Sequence, residues 1–146
     1  MENKKISIAK QKAIFEQAIQ ASPDELIIAR LEELRENGED YMIETITGLL
    51  FTSRGDILKD SVANFLVDVK NQSSVPVMIK AIKENFHSAD IARLVSVCWQ
   101  SRLDFSSDID LFVELLCKSD YQTSIEAFTV IENSMESVAR EKLVEI

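Results

Sequence analysis

The sequence has few of the residues that interrupt helices. Among 146 residues there are only three glycines and two prolines, which argues against a loop-rich, disordered or collagen-like chain. Three glycines also leave no material for a phosphate-binding loop, and no Walker, GxGxxG or GxSxG element occurs. Because 46% of the residues are hydrophobic and 28% are charged, the composition is globular, and the scarcity of breakers favours helices.

Residues that bind metals or act as nucleophiles are equally scarce. The only histidine, His87, falls at a predicted helix junction with no cysteine or second histidine near it in sequence, so no metal site is predicted. Cys98 and Cys117 stand singly in apolar helical patterns, which predicts two small core residues. We therefore expect no metal, no cofactor and no catalytic activity.

Long apolar stretches are also missing. No segment approaches the roughly 20 apolar residues of a membrane span, and the first residues lack the apolar run of a secretion signal. We expect a cytoplasmic protein with no membrane attachment.

Charge is abundant but unevenly distributed. The net charge is -9, and the stretch 104–136 contains eight acidic residues and one basic residue, Lys118. Residues 1–12 have the opposite balance, with four lysines and one glutamate. The acidic C-terminal third should repel phosphates and attract a basic partner. The alternative interpretation is a solvated face that maintains solubility.

Helical patterns cover almost the whole chain. Ser22-Pro23-Asp24-Glu25 reads as a capping box with proline at the first helical position, and it predicts a helix over 23–37 and an N-terminal hairpin over 4–38. Because the connections are short, consecutive helices should be antiparallel neighbours. Further helices are predicted at about 40–53, 56–70, 74–86, 89–102, 107–118 and 121–133, with a capping helix within 135–146.

The apolar pattern repeats along the chain. Aligned apolar residues of successive hairpins are separated by 32 to 34 positions, a spacing typical of repeat proteins. The chain is thus predicted to be one repeat domain, 1–146, with units at about 39–71, 72–103 and 104–134. The aligned pairs are Ile46–Ile79, Val62–Leu94, Val77–Leu111, Leu94–Ala127 and Val95–Phe128.

Over about residues 39–134 the sequence resembles the HEAT and armadillo-like superfamily. The segment 74–82, SVPVMIKAI, looks like the first helix of a HEAT unit, in which a proline often precedes an aliphatic run. The other two units lack that proline, and the Asp and Arg ladder often found between HEAT units is poorly represented. The resemblance implies an all-α, right-handed stack of about eight or nine helices in antiparallel hairpins. The rival fold is a compact, irregular helical bundle.

The resemblance also suggests where a partner would bind. Second helices line the concave face of HEAT-like stacks, so Trp99 and its neighbours are placed near that surface, although Trp99 would alternatively be buried between hairpins. The acidic third adds Glu126 and Glu132 as contacts for a basic partner. The full set of candidate partner-binding residues is Asn64, Asp68, Arg93, Ser96, Trp99, Gln100, Glu126 and Glu132.

Three functional hypotheses follow. The first is a non-catalytic protein-protein interaction module, an adaptor whose groove binds another protein with basic character. The second, a nucleic-acid-associated protein, is disfavoured by the excess of acids and would need a concentrated basic patch. The third is a self-associating structural subunit whose end hairpins pair into a homo-oligomer. The patch required by the second would comprise Lys59, Lys70, Lys80, Lys83, Arg93 and Arg102.

Overall fold

The described part of the chain is entirely helical. The computed structural model describes residues 7–145, and among these the side chains of all but 36, 37 and 137–145. This range contains eight α-helices and no strand, so the predicted all-α class is confirmed. The helices are α1 (Ile8–Ala21), α2 (Asp24–Asn37), α3 (Met42–Gly48), α4 (Asp56–Val67), α5 (Ser74–Glu84), α6 (Ile91–Gln100), α7 (Ile109–Lys118) and α8 (Tyr121–Glu145).

The observed helices follow the predicted segments, with two differences. The segment predicted as 40–53 is α3 followed by a short 3-10 helix, Leu49–Phe51. At the C-terminus, the predicted break between 133 and 136 is absent, because α8 is continuous. Residues 4–6 and 146, included in the predicted terminal elements, lie outside the described residues, as do the side chains of the predicted cap beyond 136.

Helices two apart in the chain pack side by side. In one row α3 contacts α1 and α5, and in the other row α4 contacts α2 and α6, while α6 also contacts α8. Within the last pair, α7 packs extensively on α8. The range 39–71 contains α3 and α4, and the range 72–103 contains α5 and α6, with one helix of each pair in each row.

A continuous apolar core fills the space between the rows. It extends from Ile19 to Val130, and helical spacing of three and four residues brings its members to one side of each helix. Cys98 belongs to this core, as predicted, and burial raises the pKa of its thiol. The same prediction for Cys117 is wrong, because that side chain is exposed on α7. The side chains with no exposed surface include Ile46, Leu50, Leu58, Val62, Leu66, Met78, Ile82, Leu94, Val95, Phe112 and Leu115.

The turn between α1 and α2 does not form the predicted capping box. Ser22 ends α1 instead, since its hydroxyl donates to the Ala18 carbonyl at 2.7 Å. Pro23 occupies the cap position of α2 and makes no side-chain cap. The Asp24 carboxylate contacts the segment just before α4, where it accepts hydrogen bonds from the Arg54 guanidinium at 2.8 Å and the Gly55 amide at 3.2 Å.

Arg54 fastens this turn to the next unit. Its Nη1 donates to the Ser22 carbonyl at 2.9 Å, and its Nη2 donates to the carbonyls of Ile19 and Gln20 at 3.2 and 3.1 Å. The Ile19 and Gln20 carbonyls belong to the last turn of α1 and the Ser22 carbonyl follows it, at the helix end whose backbone oxygens favour a cation. One side chain therefore satisfies the end of α1 and pairs with the start of α2.

We expect Arg54→Ala to lower the free energy of unfolding by about 2 kcal/mol, because three carbonyls and one carboxylate lose a charged donor. Arg54→Lys should recover only part of this loss, since a single ammonium cannot reproduce the planar fork of the guanidinium. Urea denaturation followed by circular dichroism measures both values. The control is Arg30→Ala, which removes an exposed pair with Glu33 on one helix; a loss as large as that of Arg54→Ala would contradict the role assigned to Arg54.

Candidate partner-binding groove

Polar side chains connect successive units at a nearly constant separation in sequence. Asn71 Nδ2 donates to Asp40 at 2.9 Å, 31 residues away, and Gln72 Nε2 donates to the Asp104 carbonyl at 2.6 Å, 32 residues away. Equivalent positions of stacked units lie side by side, so a polar residue meets its partner one unit later. The charged pairs across 31 to 33 residues are Lys12–Glu44, Arg35–Asp68, Lys59–Asp90 and Asp60–Arg93. Two of these contacts, Arg35–Asp68 and Arg93–Asp60, join Asp and Arg, the residue types of the ladder that the sequence represents poorly.

Arg93 is the centre of the densest charged cluster. From α6, its guanidinium donates to Asp60 at 3.1 Å and to Asp56 at 3.2 Å, both on α4, and to Asp90 at 2.8 Å in its own unit. Burial alone would lower the pKa of Arg93, but the hydrogen bonds and charges of Asp60 and Asp56 outweigh burial and raise that pKa. Arg93 therefore remains charged, and its donors are committed to three carboxylates.

Lys59 joins this cluster from the interior. Its side chain is 8% exposed, and its ammonium donates to Asp90 at 2.9 Å. Asp90 thus accepts from Lys59 with one oxygen and from Arg93 with the other. A buried ammonium is costly without a counter-charge, so Asp90 neutralises Lys59 and orients Arg93 at the same time.

A groove of about 600 Å³ runs beside this cluster and is lined by α4, α6, the residues just before α6, and α8. We call it the α4–α6–α8 groove. Its walls contain three carboxylates, those of Asp60, Asp90 and Glu126, and one guanidinium, that of Arg93. The groove is acidic because carboxylates outnumber the guanidinium in its lining. Side-chain amides and a hydroxyl complete the polar lining, at Asn64, Ser96, Gln100 and Gln122.

The structure brings five of the eight candidate residues together in this groove. Asn64 lies on α4, Glu126 lies on α8, and the other three lie on α6, namely Arg93, Ser96 and Gln100. The prediction missed three lining residues that carry charge or hydrogen bonds, Asp60, Asp90 and Gln122. A signal for Asp60 existed in the sequence, since it precedes Arg93 by 33 residues, the period of the apolar repeat.

Trp99 does not line the groove. Its ring is partly buried and packs against the core, and its Nε1 donates to Glu126 Oε1 at 2.5 Å. The Trp99 carbonyl also accepts from Asn133 Nδ2 at 3.3 Å. Trp99 therefore connects α6 to α8, as in the alternative interpretation that placed it between hairpins, and it orients Glu126 at the edge of the groove.

The remaining two candidates lie on other surfaces. Asp68 follows α4 and pairs with Arg35 of α2, so it belongs to the contacts between units. Glu132 is exposed on α8 and does not line the groove. The acidic residues of the C-terminal third therefore face in different directions, with Glu126 alone among them in the groove.

Several of the basic residues that nucleic-acid binding would require are paired with carboxylates. Lys59 is buried against Asp90, and Arg93 is surrounded by aspartates. Lys80 lies on α5 in the other row, within 3.8 Å of Glu44 and 4.0 Å of Glu84. Three of the six bases are thus paired with carboxylates.

Among the side chains that the structure describes, no group of three or more His, Cys, Asp and Glu is arranged to hold a metal ion. None of the helices in residues 7–145 combines the length and hydropathy that crossing a membrane requires.

Comparisons of the chain with protein-family models, curated proteins and solved structures found no match.

We expect Asp90→Asn to lower the free energy of unfolding by about 3 kcal/mol, because it leaves the buried Lys59 ammonium without its counter-charge. The control is Asp56→Asn, which also removes a carboxylate partner of Arg93 but at a position whose side chain is 83% exposed. That control should change stability by no more than about 0.5 kcal/mol. Chemical denaturation measures both, and equal effects would show that burial of Lys59 does not set the strength of the cluster.

Proposed function

We propose that this chain is a non-catalytic protein-binding module of HEAT-like architecture whose α4–α6–α8 groove binds an extended, basic peptide segment of another protein. The observation that carries the proposal is the composition of the groove. Three carboxylates face one guanidinium, and that guanidinium is already held by aspartates. Lysine or arginine side chains of a partner would supply the missing positive charge.

The amides of the groove suit an extended backbone. Asn64, Gln100 and Gln122 come from three successive second-row helices, and each side-chain amide both donates and accepts hydrogen bonds. A peptide lying across the three helices would present its backbone groups to these amides at successive units. Its basic side chains would reach the carboxylates of Asp60 and Glu126.

The stacking of the helices supports the architectural part of the proposal. Two rows of helices, units with a period of 32 to 34 residues and polar contacts across the same period are features of a one-dimensional repeat array. A right-handed superhelix with the α4–α6–α8 groove on its concave side is the arrangement we propose.

Nucleic acid is the less favoured partner. A phosphate backbone requires clustered, available cations, whereas the groove presents an excess of carboxylates. Its one cation, Arg93, is enclosed by Asp56, Asp60 and Asp90.

The test is a fluorescence-anisotropy titration of a fluorescein-labelled decalysine peptide with the full chain. Glu126→Lys should raise the dissociation constant about fivefold, corresponding to roughly 1 kcal/mol of lost charge pairing. Glu132→Lys, six residues along the same helix but outside the groove, should leave the dissociation constant unchanged. Both variants change the net charge equally, so the comparison separates groove binding from general attraction to an acidic protein.

Glu126→Gln provides a second comparison, since its amide oxygen still accepts from the Trp99 indole. It should weaken binding less than Glu126→Lys and leave the melting temperature near that of the wild type. Equal weakening by Glu126→Lys and Glu132→Lys would contradict the groove as the binding site, and so would an unchanged dissociation constant in both.

A further inference from the structure

The exposed apolar side chains are concentrated at the two ends of the array. Among the described residues, nine large apolar side chains are exposed, and only Ile57 lies between the second and the seventh helix. The others belong to the first or the last helix pair. Terminal repeats of stacked arrays ordinarily have a polar outer face that keeps the protein soluble, so apolar surface at both ends requires an explanation. These eight are Ile8, Ile14, Leu26, Val113, Tyr121, Ile125, Phe128 and Met135.

The C-terminal end presents a ridge on α8. Tyr121, Ile125, Phe128 and Met135 are 82%, 43%, 50% and 57% exposed, and their intervals of four, three and seven residues place them on one side of the helix. We call them, with Glu132 at the position between Phe128 and Met135, the α8 ridge. The ridge is an apolar stripe that contains one carboxylate.

The repeat indicates what this ridge is shaped to contact. Phe128 aligns with Val95 of α6, 33 residues earlier. Val95 has no exposed surface in an α6 that packs against α8, whereas Phe128 is half exposed. In the preceding unit the equivalent position is covered by the next hairpin. Phe128 occupies this position in the last unit and is half exposed.

The N-terminal end presents a complementary recess. The α1–α2 groove has a volume of about 490 Å³ and reaches down to Tyr41 and Met42 at the start of α3. Its rim includes Ile14 and Leu26, which are 50% and 56% exposed. The only charged side chain in its lining is that of Arg30. The groove is thus an apolar site that contains one guanidinium.

We infer that the α8 ridge of one copy of this chain docks into the α1–α2 groove of a second copy. The dimensions are compatible, because the groove lining from Gln11 to Ser22 along α1 extends about 17 Å at 1.5 Å per residue, and the ridge from 121 to 135 extends about 21 Å. The charges are opposite as well, with Glu132 in the ridge and Arg30 in the groove. Arg30 pairs with the exposed Glu33 on its own helix, and docking would add the Glu132 carboxylate beside the same guanidinium. The contact would pack a second face of α8 against a neighbouring hairpin, as α6 already packs against α8 within the chain.

The two surfaces differ, so the association is head-to-tail. Each copy keeps a free ridge at one end and a free groove at the other, and heterologous contacts of this kind extend into longer assemblies unless they close into a ring. An isologous dimer, in contrast, would pair two α8 ridges and stop at two copies.

Sedimentation-velocity ultracentrifugation of the full chain from roughly 1 to 200 µM covers the micromolar dissociation constants of a weak interface. The weight-average mass should rise with concentration above the 16.5 kDa of one chain. At the highest concentrations it should exceed the mass of a dimer. Phe128→Glu in the ridge and Leu26→Glu in the groove should each raise the dissociation constant at least tenfold. Ile57→Glu, at the exposed apolar position away from both ends, should leave it unchanged.

Mixing the two disabled variants distinguishes the geometries. Phe128→Glu retains an intact groove and Leu26→Glu retains an intact ridge, so an equimolar mixture should form a one-to-one dimer and nothing larger. All three substitutions are at exposed positions, and circular dichroism confirms that each variant is folded. A wild type that stays monomeric throughout the range would overturn the inference, as would a Leu26→Glu variant that still dimerises or a mixture that does not.

Discussion

An amphipathic helical hairpin has apolar surface that its own two helices cannot cover, and in this chain that surface is covered by the neighbouring hairpin. The contacts α2–α4, α4–α6 and α6–α8 bury one side of each second-row helix against the next. Val62, Leu94 and Val95, which recur with the repeat, have no exposed surface as a result. The other features depend on these contacts between helices, because the contacts determine which residues of different helices lie side by side.

The stacking step also places the polar residues. A step of 31 to 33 residues brings Lys59 of α4 to Asp90 and Arg93 of α6 to Asp60, so hydrogen bonds reinforce the register that the apolar core selects. The same step aligns α4, α6 and α8 into one acidic groove. Phe128, 33 residues after the buried Val95, is half exposed.

Much of the fold could be predicted from the sequence because apolar periodicity and short connections are local signals. Five of the candidate residues share a groove for the same reason, since equivalent positions of successive helices face one side. The sequence was less informative about side chains that have more than one possible hydrogen-bond partner. Ser22 was predicted to cap α2, but the contact of Asp24 with Arg54, 30 residues away, fixes that turn. For Trp99 the sequence left two placements open, near the binding surface or between hairpins, and the hydrogen bond to Glu126 holds its indole between helices. Which partner a side chain contacts depends on distances between helices, and a local sequence pattern does not contain those distances.

Zero-length carbodiimide cross-linking, with mass spectrometry of the isolated monomer, tests the stacking most directly. Stacked units place Lys12 beside Glu44, and Lys80 within 3.8 Å of the same carboxylate. Cross-links of Lys12 and Lys80 to Glu44 are predicted, together with Lys118 to Glu114, a pair four residues apart that any helix would bring together. A folded monomer that yields the Lys118–Glu114 cross-link and neither cross-link to Glu44 would contradict the stacked arrangement.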